Sequence, residues 1–251
     1  MNTASYIETG NVHLDMNLEA TLPYHEVIGA LVCKYASSSS KILDLGCGLG
    51  HIESEIKKHN DKLQVDVADA YDACLETTAA RGNIGQQYKL DEVHFDVADV
   101  VQRKYDVVVM SHVLEHLLFP AKALDDVMQL LNEDGILIVA VPNPVRPTVF
   151  LTNLLKYHYV NRGHIHSWDR SHWKNFLEEI MGLDVIEYQT DFIQLPRSTK
   201  SSLLRSIGKA LVKITPWWGF SNIAVVRKPD GDRDCLYNTW KRDASTSDPD
   251  Q

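Results

Sequence analysis

The sequence predicts an α/β protein built on a doubly wound, mostly parallel sheet. Short apolar runs alternate with amphipathic helical segments along most of the 251 residues, and such alternation is typical of parallel sheets. The run 105–110 contains three consecutive valines, which favours a strand covered on both faces. Three alternating glycines, Gly46, Gly48 and Gly50, follow the first apolar run. At that place in a sheet, bare backbone lets a ligand approach closely.

The elements follow from apolar spacing. In chain order they are helices at 22–35, 51–59, 70–80, 121–131 and 171–182, and strands at 41–45, 63–69, 92–97, 105–110, 136–142, 183–189 and 222–228. We predict one domain over residues 1–228. Insertions at 145–166 and 190–220 break the alternation after the fifth and sixth strands, and insertions of this kind carry substrate specificity. The acidic stretch 229–251 is predicted to be a disordered tail.

Charge and composition exclude several classes of protein. The net charge of −9 argues against a general nucleic-acid binder, because phosphate binding needs a basic face. No apolar run approaches the roughly 18 residues of a membrane span, and the first residues lack the pattern of a secretory signal. The four cysteines show neither metal-ligand nor disulfide-framework spacing. A cytoplasmic location is therefore predicted.

The glycines do not match the two common phosphate-binding patterns. A dinucleotide fingerprint requires glycine where this sequence has His51, and a P-loop requires a Gly-Lys-Ser/Thr sequence that is absent. Asp69 ends the second strand about 20 residues after the glycines, where a carboxylate can bind ribose hydroxyls. Asp66 is an alternative in the middle of that strand, and Asp69 could also cap the following helix. The pattern therefore leaves two compatible roles for Asp69, a contact with ribose and a helix cap.

Five segments in order resemble the class I S-adenosylmethionine-dependent methyltransferases. They are ILDLGCGLG, VDVADAYDACLETTA, VHFDVADV, YDVVVMSHVLEHL and LNEDGILIVAVPNP. The resemblance covers roughly 41–143, and more loosely continues to about 228. It implies a Rossmann-like, seven-stranded sheet whose last strand is antiparallel, with S-adenosylmethionine as the cofactor.

The resemblance also implies the cofactor contacts. These are Asp44, Gly46, Gly48, Gly50, Asp69, Asp96 and Ser111. The glycines and Asp44 would surround the methionine part, and Asp69 would bind the ribose. Asp96, at the end of the predicted third strand, would face the adenine amino group, with Asp99 as its alternative. Ser111 and His112, which end the fourth strand, would lie near the sulfonium.

The segment SHVLEHL places His112, Glu115 and His116 about one helical turn apart, so that all three can face one side. The H-x-x-E-H pattern also matches a zinc-peptidase signature, but no obvious third ligand accompanies it. Packing of a short helix is the simplest alternative role. As catalytic residues, His112, His116 and His164 are candidates for taking the proton of an acceptor hydroxyl.

The sequence VLEH at this place resembles ubiquinone-type O-methyltransferases and the sugar O-methyltransferases of polysaccharide gene clusters. Small-RNA 2′-O-methyltransferases carry E-x-x-E-H here and bind a divalent metal, whereas this chain has His112 in place of the first Glu. Because histidine and glutamate can both ligate divalent cations, His112, Glu115 and His116 are candidate metal ligands. The predicted acceptor is a sugar, glycan or related small molecule. The alternatives are a quinone or phenol, an RNA, which the negative charge disfavours, and a non-catalytic cofactor-binding partner.

DNA is not expected as an acceptor, because the fourth strand is not followed by the N-P-P-Y type motif of enzymes that methylate base amino groups.

The second insertion contains a basic amphipathic segment, 198–220. One helical row is apolar, with Leu203, Ile207, Leu211 and Ile214, and another is basic, with Arg205, Lys209 and Lys213. Two tryptophans follow at 217 and 218. Such a helix can lie on an anionic membrane, so we predict peripheral contact with the inner face of the membrane. Packing on its own domain or on the partner in a homodimer is the alternative.

Overall fold

The computed structural model describes residues 21–91, 94–155, 163–195, 201–231 and 235–246. A seven-stranded sheet forms its centre, with strands β1 (Ile42–Leu45), β2 (Val65–Asp69), β3 (Ile84–Lys89), β4 (Tyr105–Ser111), β5 (Leu131–Pro142), β6 (Asp184–Gln189) and β7 (Ser221–Arg227). The strand order is β3-β2-β1-β4-β5-β7-β6. Neighbouring strands are parallel except β7, which is antiparallel to both β5 and β6. The predicted sheet, including its antiparallel last strand, is confirmed.

Helices cover the two faces of the sheet. In the described residues they are α1 (Pro23–Tyr35), α2 (His51–His59), α3 (Asp72–Arg81), α4 (Val97–Val100), α5 (Pro120–Gln129), α6 (Pro147–Leu155), α7 (Arg170–Asn175), α8 (Ser202–Leu211) and α9 (Leu236–Thr246). Helix α7 continues as a π-helical turn, Phe176–Ile180, and single 3₁₀ turns occur at Leu114–His116 and Pro216–Trp218.

The alternation of side chains along β4 explains the two layers. Val107 and Val109 pack in one core with residues of α1 and α2, such as Ile28 and Ile56. Val108 and Met110 belong to a second core on the opposite face, which also contains residues of α5 and α7. Because successive side chains of a strand point to opposite faces, an all-apolar strand is what a sheet covered on both sides requires. Cofactor sites of such sheets lie where the strands end.

The prediction for the third strand is wrong. The strand is β3, Ile84–Lys89, whereas residues 92 and 93 lie outside the described part and Val97 begins the short helix α4. The sequence IGQQYK has little apolar character because β3 is the edge strand and pairs only with β2 among the described strands. Backbone hydrogen bonds to β2, rather than an apolar pattern in the sequence, define β3 as a strand. Asp96 therefore precedes α4 and does not end a strand.

The chain after Pro229 also differs from its prediction. Instead of a continuous disordered tail, the structure has the helix α9 and a buried Cys235 before it. The ring of Tyr237 packs against the core, and Lys241 donates to Asp125 of α5 at 2.7 Å. A few apolar residues within an acidic stretch are thus sufficient to dock a short helix. Residues 232–234 and 247–251 lie outside the described part, and the limits of the domain at 1–228 remain a prediction.

Each predicted insertion contributes one helix. Helix α6 lies in the first, and α8 with the 3₁₀ turn Pro216–Trp218 lies in the second. Residues 156–162 and 196–200 of these insertions are outside the described part. Among the helices that the structure describes, none is both long and apolar enough to cross a bilayer.

Candidate active site

The three glycines after β1 adopt left-handed backbone for different reasons. Gly46, Gly48 and Gly50 have φ values of 78°, 53° and 73°. A Cβ on Gly46 would lie 2.4 Å from Val113, and one on Gly50 would lie 2.8 Å from the backbone of Thr78, so both glycines allow close packing. A Cβ on Gly48 would meet no protein atom within 4 Å, and Gly48 lines an open cleft. Gly46 and Gly48 both line the cleft, and at Gly48 a side chain would extend into open space.

Asp69 sits opposite this turn, at the end of β2. Its carboxylate accepts hydrogen bonds from the backbone N–H groups of Gly48 and Tyr71, each at 2.9 Å, and it lines the cleft. Burial raises the pKa of Asp69 despite these two bonds. The Asp69 carboxylate thus fixes both the glycine turn and the backbone at Tyr71, just before α3 begins.

Asp66, the alternative to Asp69, has a different role. Its carboxylate accepts from the Arg103 guanidinium and from the Tyr105 hydroxyl, both at 2.9 Å, and from the backbone N–H of Gln86. These partners connect β2 with β3 and β4, and Asp66 is not among the residues that line the cleft. Asp69 is the carboxylate of this strand that reaches the cleft.

Two carboxyl groups are buried behind the glycine turn. Asp44, in the middle of β1, is 0% exposed, and Glu53 of α2 is 1% exposed. No hydrogen-bond donor of the described residues reaches the Asp44 carboxylate, whose neighbour is the carboxyl group of Glu53. Burial raises the pKa of Asp44 to about 6 and also raises that of Glu53. A proton held between the two groups relieves part of this cost.

The far end of the cleft is lined by residues that the sequence pattern missed. Leu90, Asp91 and Phe95, which follow β3, all line it. The predicted contact Asp96 does not; its Oδ1 accepts from the backbone N–H of Asp91 at 2.9 Å. The signal for Asp91 was available: it follows a strand end, as Asp69 does, but only once β3 is placed at Ile84–Lys89. A contact of Asp96 with adenine stays a prediction.

Two predicted site residues at the end of β4, Ser111 and His112, have different surroundings. Ser111 is buried, and its hydroxyl has no partner among the described residues. His112 has a φ of 57°, a left-handed conformation that is rare for a residue with a side chain, and it lines the cleft beside Gly46. Its Nε2 lies 2.9 Å from Ser221 Oγ of β7, and its Nδ1 lies 3.6 Å from Glu115 Oε1. Strain of this kind is found where a side chain must be aimed.

Glu115 is the centre of a histidine cluster. It is 1% exposed, and neither carboxylate oxygen has a hydrogen-bond partner within the described chain. Its Oε1 lies 3.8 Å from His116 Nε2 and 4.0 Å from His164 Nε2. The backbone carbonyl of Glu115 accepts from the N–H groups of Ile165 and His166, at 2.8 and 3.1 Å, which fixes the first insertion here. The sequence grouped His112, Glu115 and His116; the structure adds His164.

Burial sets the charge state of the cluster. It raises the pKa of Glu115 to about 8 and lowers that of His112 to about 3, with the charge of Arg146 as the next cause for His112. Taken separately, both groups are therefore driven towards their neutral forms at pH 7. A neutral imidazole keeps one lone pair and can accept a proton.

Aromatic and charged residues form a wall beside His112. The Tyr24 ring of α1 lies 4.6 Å from the His112 ring and is stacked on Phe220 at 5.8 Å. The Arg146 guanidinium lies 4.1 Å above the centre of the Phe220 ring. Sequence reasoning missed all three of these residues because they come from α1 and from the two insertions, with no local motif. The cleft thus has a cofactor side of glycines and carboxylates and an acceptor side on which His112 and His116 line the cleft, with the aromatic rings and the arginine behind His112.

Curated relatives match only part of the chain. A malonyl-[acyl-carrier protein] O-methyltransferase of Bacillus cereus is 25% identical over 119 residues, which are 45% of this chain and 42% of that protein. The ribosomal RNA small subunit methyltransferase C of Haemophilus influenzae is 36% identical over 72 residues, 28% of this chain and 21% of that protein. The chain spans less than half the length of these relatives, and their acceptors differ.

Solved structures share the fold over most of the chain. A methyltransferase of Haloferax volcanii, solved in complex with the Trm112 methyltransferase activator, gives a TM-score of 0.60 at 15% identity and covers 92% of this chain and 99% of that one. The N-methyltransferase NodS of Bradyrhizobium japonicum, in complex with S-adenosylhomocysteine, gives 0.56 at 16% identity and covers 92% and 100%. At these identities the likeness is one of fold.

A family model described as a methyltransferase domain matches residues 24–188. This range is more than half of the chain and contains the glycine turn, Asp69 and the segment 112–116. The match confirms the predicted class I assignment and its cofactor, S-adenosylmethionine. The chain belongs to the methyltransferase domain family.

Proposed function

We propose that this protein transfers the methyl group of S-adenosylmethionine to a hydroxyl oxygen of a sugar, a glycan or a related small molecule. The observation that carries the proposal is the buried Glu115, which is surrounded by the imidazoles of His112, His116 and His164. Of these, His112 lies on the acceptor side of the cleft. A hydroxyl must lose its proton as it attacks, so it needs a proton acceptor in reach. A carboxylate acceptor is already ionised at neutral pH and needs none.

The residues of the cofactor side fit S-adenosylmethionine. The open backbone at Gly48 suits a close approach of the methionine part, and Asp69 at the end of β2 suits the ribose hydroxyls. The buried, donor-less carboxylate of Asp44 is placed for a positively charged group such as the cofactor's ammonium. The cofactor supplies an activated methyl group, and the chain holds it in line with the acceptor.

We assign proton acceptance to His112. Its ring lines the cleft, while its two nitrogens face Glu115 and Ser221, so its position is held from both sides. For Nε2 to take the proton of an acceptor hydroxyl, its hydrogen bond with Ser221 must be exchanged for one with the acceptor. In its ionised form Glu115, 3.6 Å from Nδ1, stabilises the resulting imidazolium, because each charge then offsets the cost of burying the other. His116 and His164 surround the same carboxylate and act through it.

The walls of the acceptor side favour a sugar or glycan over a quinone. Tyr24, Phe220 and Arg146 provide aromatic faces together with a charge, and Ser221 adds a hydroxyl. A quinone would be expected to occupy a deep apolar slot. Phenols and quinones remain the alternative of the same class, and RNA is disfavoured by the net charge of −9.

The acceptor can be tested by incubating the purified protein with S-adenosylmethionine and a panel of glycosides, phenols, reduced quinones and carboxylic acids. We expect release of S-adenosylhomocysteine with a glycoside and a methyl ether as product. A base-labile methyl ester would contradict the proposal. Cofactor binding by calorimetry without turnover on any acceptor would favour a non-catalytic partner protein.

We also propose that Glu115, His116 and His164 hold a divalent cation. One ligand atom from each lies within 4.8 Å of the others, which is close enough to converge on a single ion. His116 Nδ1 lies 3.1 Å from the carbonyl oxygen of Gly163, and donation to this carbonyl sets the tautomer that carries the ligating lone pair on Nε2. Such an ion would lower the pKa of an acceptor hydroxyl. His112, predicted as a ligand, stays the proton acceptor in this arrangement.

Calorimetric titration with Mn²⁺ alone tests the cation. His164→Ala should lose binding, whereas His172→Ala should keep it, because His172 is exposed on α7 and paired with Asp169. Full turnover in excess chelator, with no binding of Mn²⁺, would leave the cluster to proton transfer alone.

A further inference from the structure

Helix α8 of the second insertion is amphipathic, but the side that faces solvent is its apolar side. Its apolar row faces away from the protein: Leu203 is 69% and Ile214, just after the helix, is 74% exposed, and Ile207 and Leu211 are exposed as well. The buried side is formed by Gly208 and Val212. A surface helix normally places its apolar row on the core and its charges in solvent. An apolar row turned outwards indicates a partner surface beyond the residues that the structure describes.

The contacts of α8 fix this orientation. A Cβ on Gly208 would lie 2.2 Å from the carbonyl oxygen of Ile193, and the backbone of Ile193 donates to Gly208 at 3.1 Å, so the helix is pressed against this segment. On the same side, Arg205 donates to the carbonyl of Thr21 at 3.1 Å and Lys209 forms an ion pair with Glu26. Rotation of α8 to bury its apolar row would break these contacts.

A second apolar helix lies next to α8. Helix α6 has no buried residue, and its exposed apolar side chains are Phe150, Leu151, Leu154 and Leu155. Thr148 of α6 donates to Gln194, beside Ile193, at 3.2 Å. Just before α6, Asn143 donates to the carbonyl oxygen of Trp217 at 2.9 Å. Hydrogen bonds therefore connect the N-terminal region of α6 to both ends of the α8 insertion.

Aromatic and basic residues border these apolar rows. Trp217 and Trp218 are both about half exposed, at 52% and 43%. Lys213 is exposed, and Lys209 and Arg205 are partly exposed along the flank of α8. Arg205 and Lys209 are bonded to Thr21 and Glu26, whereas Lys213 faces solvent beside the apolar row. Tryptophan, an apolar row and flanking lysine and arginine are the features of helices that lie in a lipid interface.

We propose that α6, α8 and the Trp217–Trp218 turn form a docking surface for an anionic lipid bilayer. The apolar rows would enter the boundary between headgroups and acyl chains, and Lys213 would face the phosphates. Because basic residues near such a surface each contribute modestly, association is peripheral, reversible and salt-sensitive. The surface adjoins Phe220 and Arg146 of the acceptor side, so a docked molecule would present its cleft close to the membrane.

Flotation of the full chain with vesicles tests this surface. Vesicles of phosphatidylcholine with about one third phosphatidylserine should carry the protein at low salt, and vesicles of phosphatidylcholine alone should carry much less. The double variant Ile207→Ser, Trp217→Ser should weaken the binding by about tenfold or more, and Lys213→Ser by about fivefold. Ile186→Ser, which changes an exposed apolar side chain on the distant strand β6, should bind as the parent does.

Three results would overturn the proposal. One is absence of flotation with anionic vesicles at low salt, for a parent protein that binds S-adenosylhomocysteine. Another is concentration-dependent self-association in sedimentation experiments that Ile207→Ser abolishes, because the face would then join two copies of the chain. Unchanged flotation of the double variant would likewise show that binding, if present, uses another surface.

Discussion

The cofactor side and the acceptor side of the cleft are built in different ways. The cofactor side uses short stretches at the ends of consecutive strands, namely the turn 46–50 after β1 and Asp69 at the end of β2. The acceptor side gathers residues that are far apart in the chain: Tyr24 from α1, His112 after β4, His164 from the first insertion and Phe220 from the second. One side is fixed by the topology of the fold, whereas the other depends on how two insertions pack.

The two sides also differ in how their carboxylates are satisfied. Asp69 receives two backbone hydrogen bonds at 2.9 Å, whereas Glu115 has no donor within hydrogen-bonding distance in the described chain. A buried carboxyl group without partners is held neutral or completed by a proton or a cation. The contrast between these two carboxylates indicates that the part of the cofactor side around Asp69 is preorganised, and that the surroundings of Glu115 take their final electrostatic form only with substrate or metal.

The largest expected effect is on turnover, from Glu115→Gln. The amide has the same shape but can neither stabilise an imidazolium nor ligate a cation well, so kcat should fall by about 100-fold or more. The affinity for S-adenosylhomocysteine should remain within about twofold, since Glu115 does not line the cofactor cleft. Calorimetry and steady-state kinetics measure the two separately. Glu133→Gln, an exposed residue in β5, is the matched control. A parallel loss of cofactor affinity would contradict the division into two sides.

The next largest effect is expected from Asp69→Asn, and it should be on the affinity for the cofactor. Loss of the charge would remove the hydrogen bonds that we propose between Asp69 and the ribose, and bonds of this kind contribute about 1.5–3 kcal/mol, or roughly 10- to 100-fold in Kd. Calorimetric titration with S-adenosylhomocysteine measures it. Asp72→Asn, three residues away, should leave Kd unchanged because its side chain is 76% exposed and pairs with Lys89. Unchanged affinity for Asp69→Asn would remove this residue from the ribose site.

The smallest effect concerns stability, from Asp44→Asn. Its pKa is raised from 3.8 to about 6 in the folded protein, so the folded state keeps a proton that the unfolded chain has lost between these values. Stability therefore falls as pH rises through this window, and the cost is complete above about pH 6. Without cofactor, the free energy of unfolding of the variant should be about 1–3 kcal/mol higher than that of the parent at pH 8. Near pH 3.5 the two values should be nearly equal.

Thermal unfolding of both proteins at the two pH values checks this sign, and Asp61→Asn, an exposed residue, serves as the control. The same Asp44→Asn variant should bind the cofactor more weakly. A destabilised variant at pH 8 would show that the ionised carboxylate has a favourable partner.

Local pattern predicted the parts of the molecule that local physics decides. The glycine turn, Asp69, β4 and the helices α2, α3 and α5 arise from apolar spacing and from backbone requirements within a few residues. Strand β3 could not be predicted in this way, because its Gln-rich sequence is stabilised by pairing with β2. Helix α9 was missed for a related reason: Tyr237 and Cys235 gain their stabilisation from a core that lies elsewhere in the chain.

The sequence by itself determined the class of fold, the cofactor turn and the presence of His112, Glu115 and His116 on one short segment. Only the tertiary structure brought His164 to Glu115, placed Tyr24 and Phe220 beside His112, and turned the apolar row of α8 outwards. The physical reason is distance along the chain. Propensity and periodicity act over a few residues, whereas burial, pKa and the pairing of a carboxylate with an imidazole depend on which segments the core brings together.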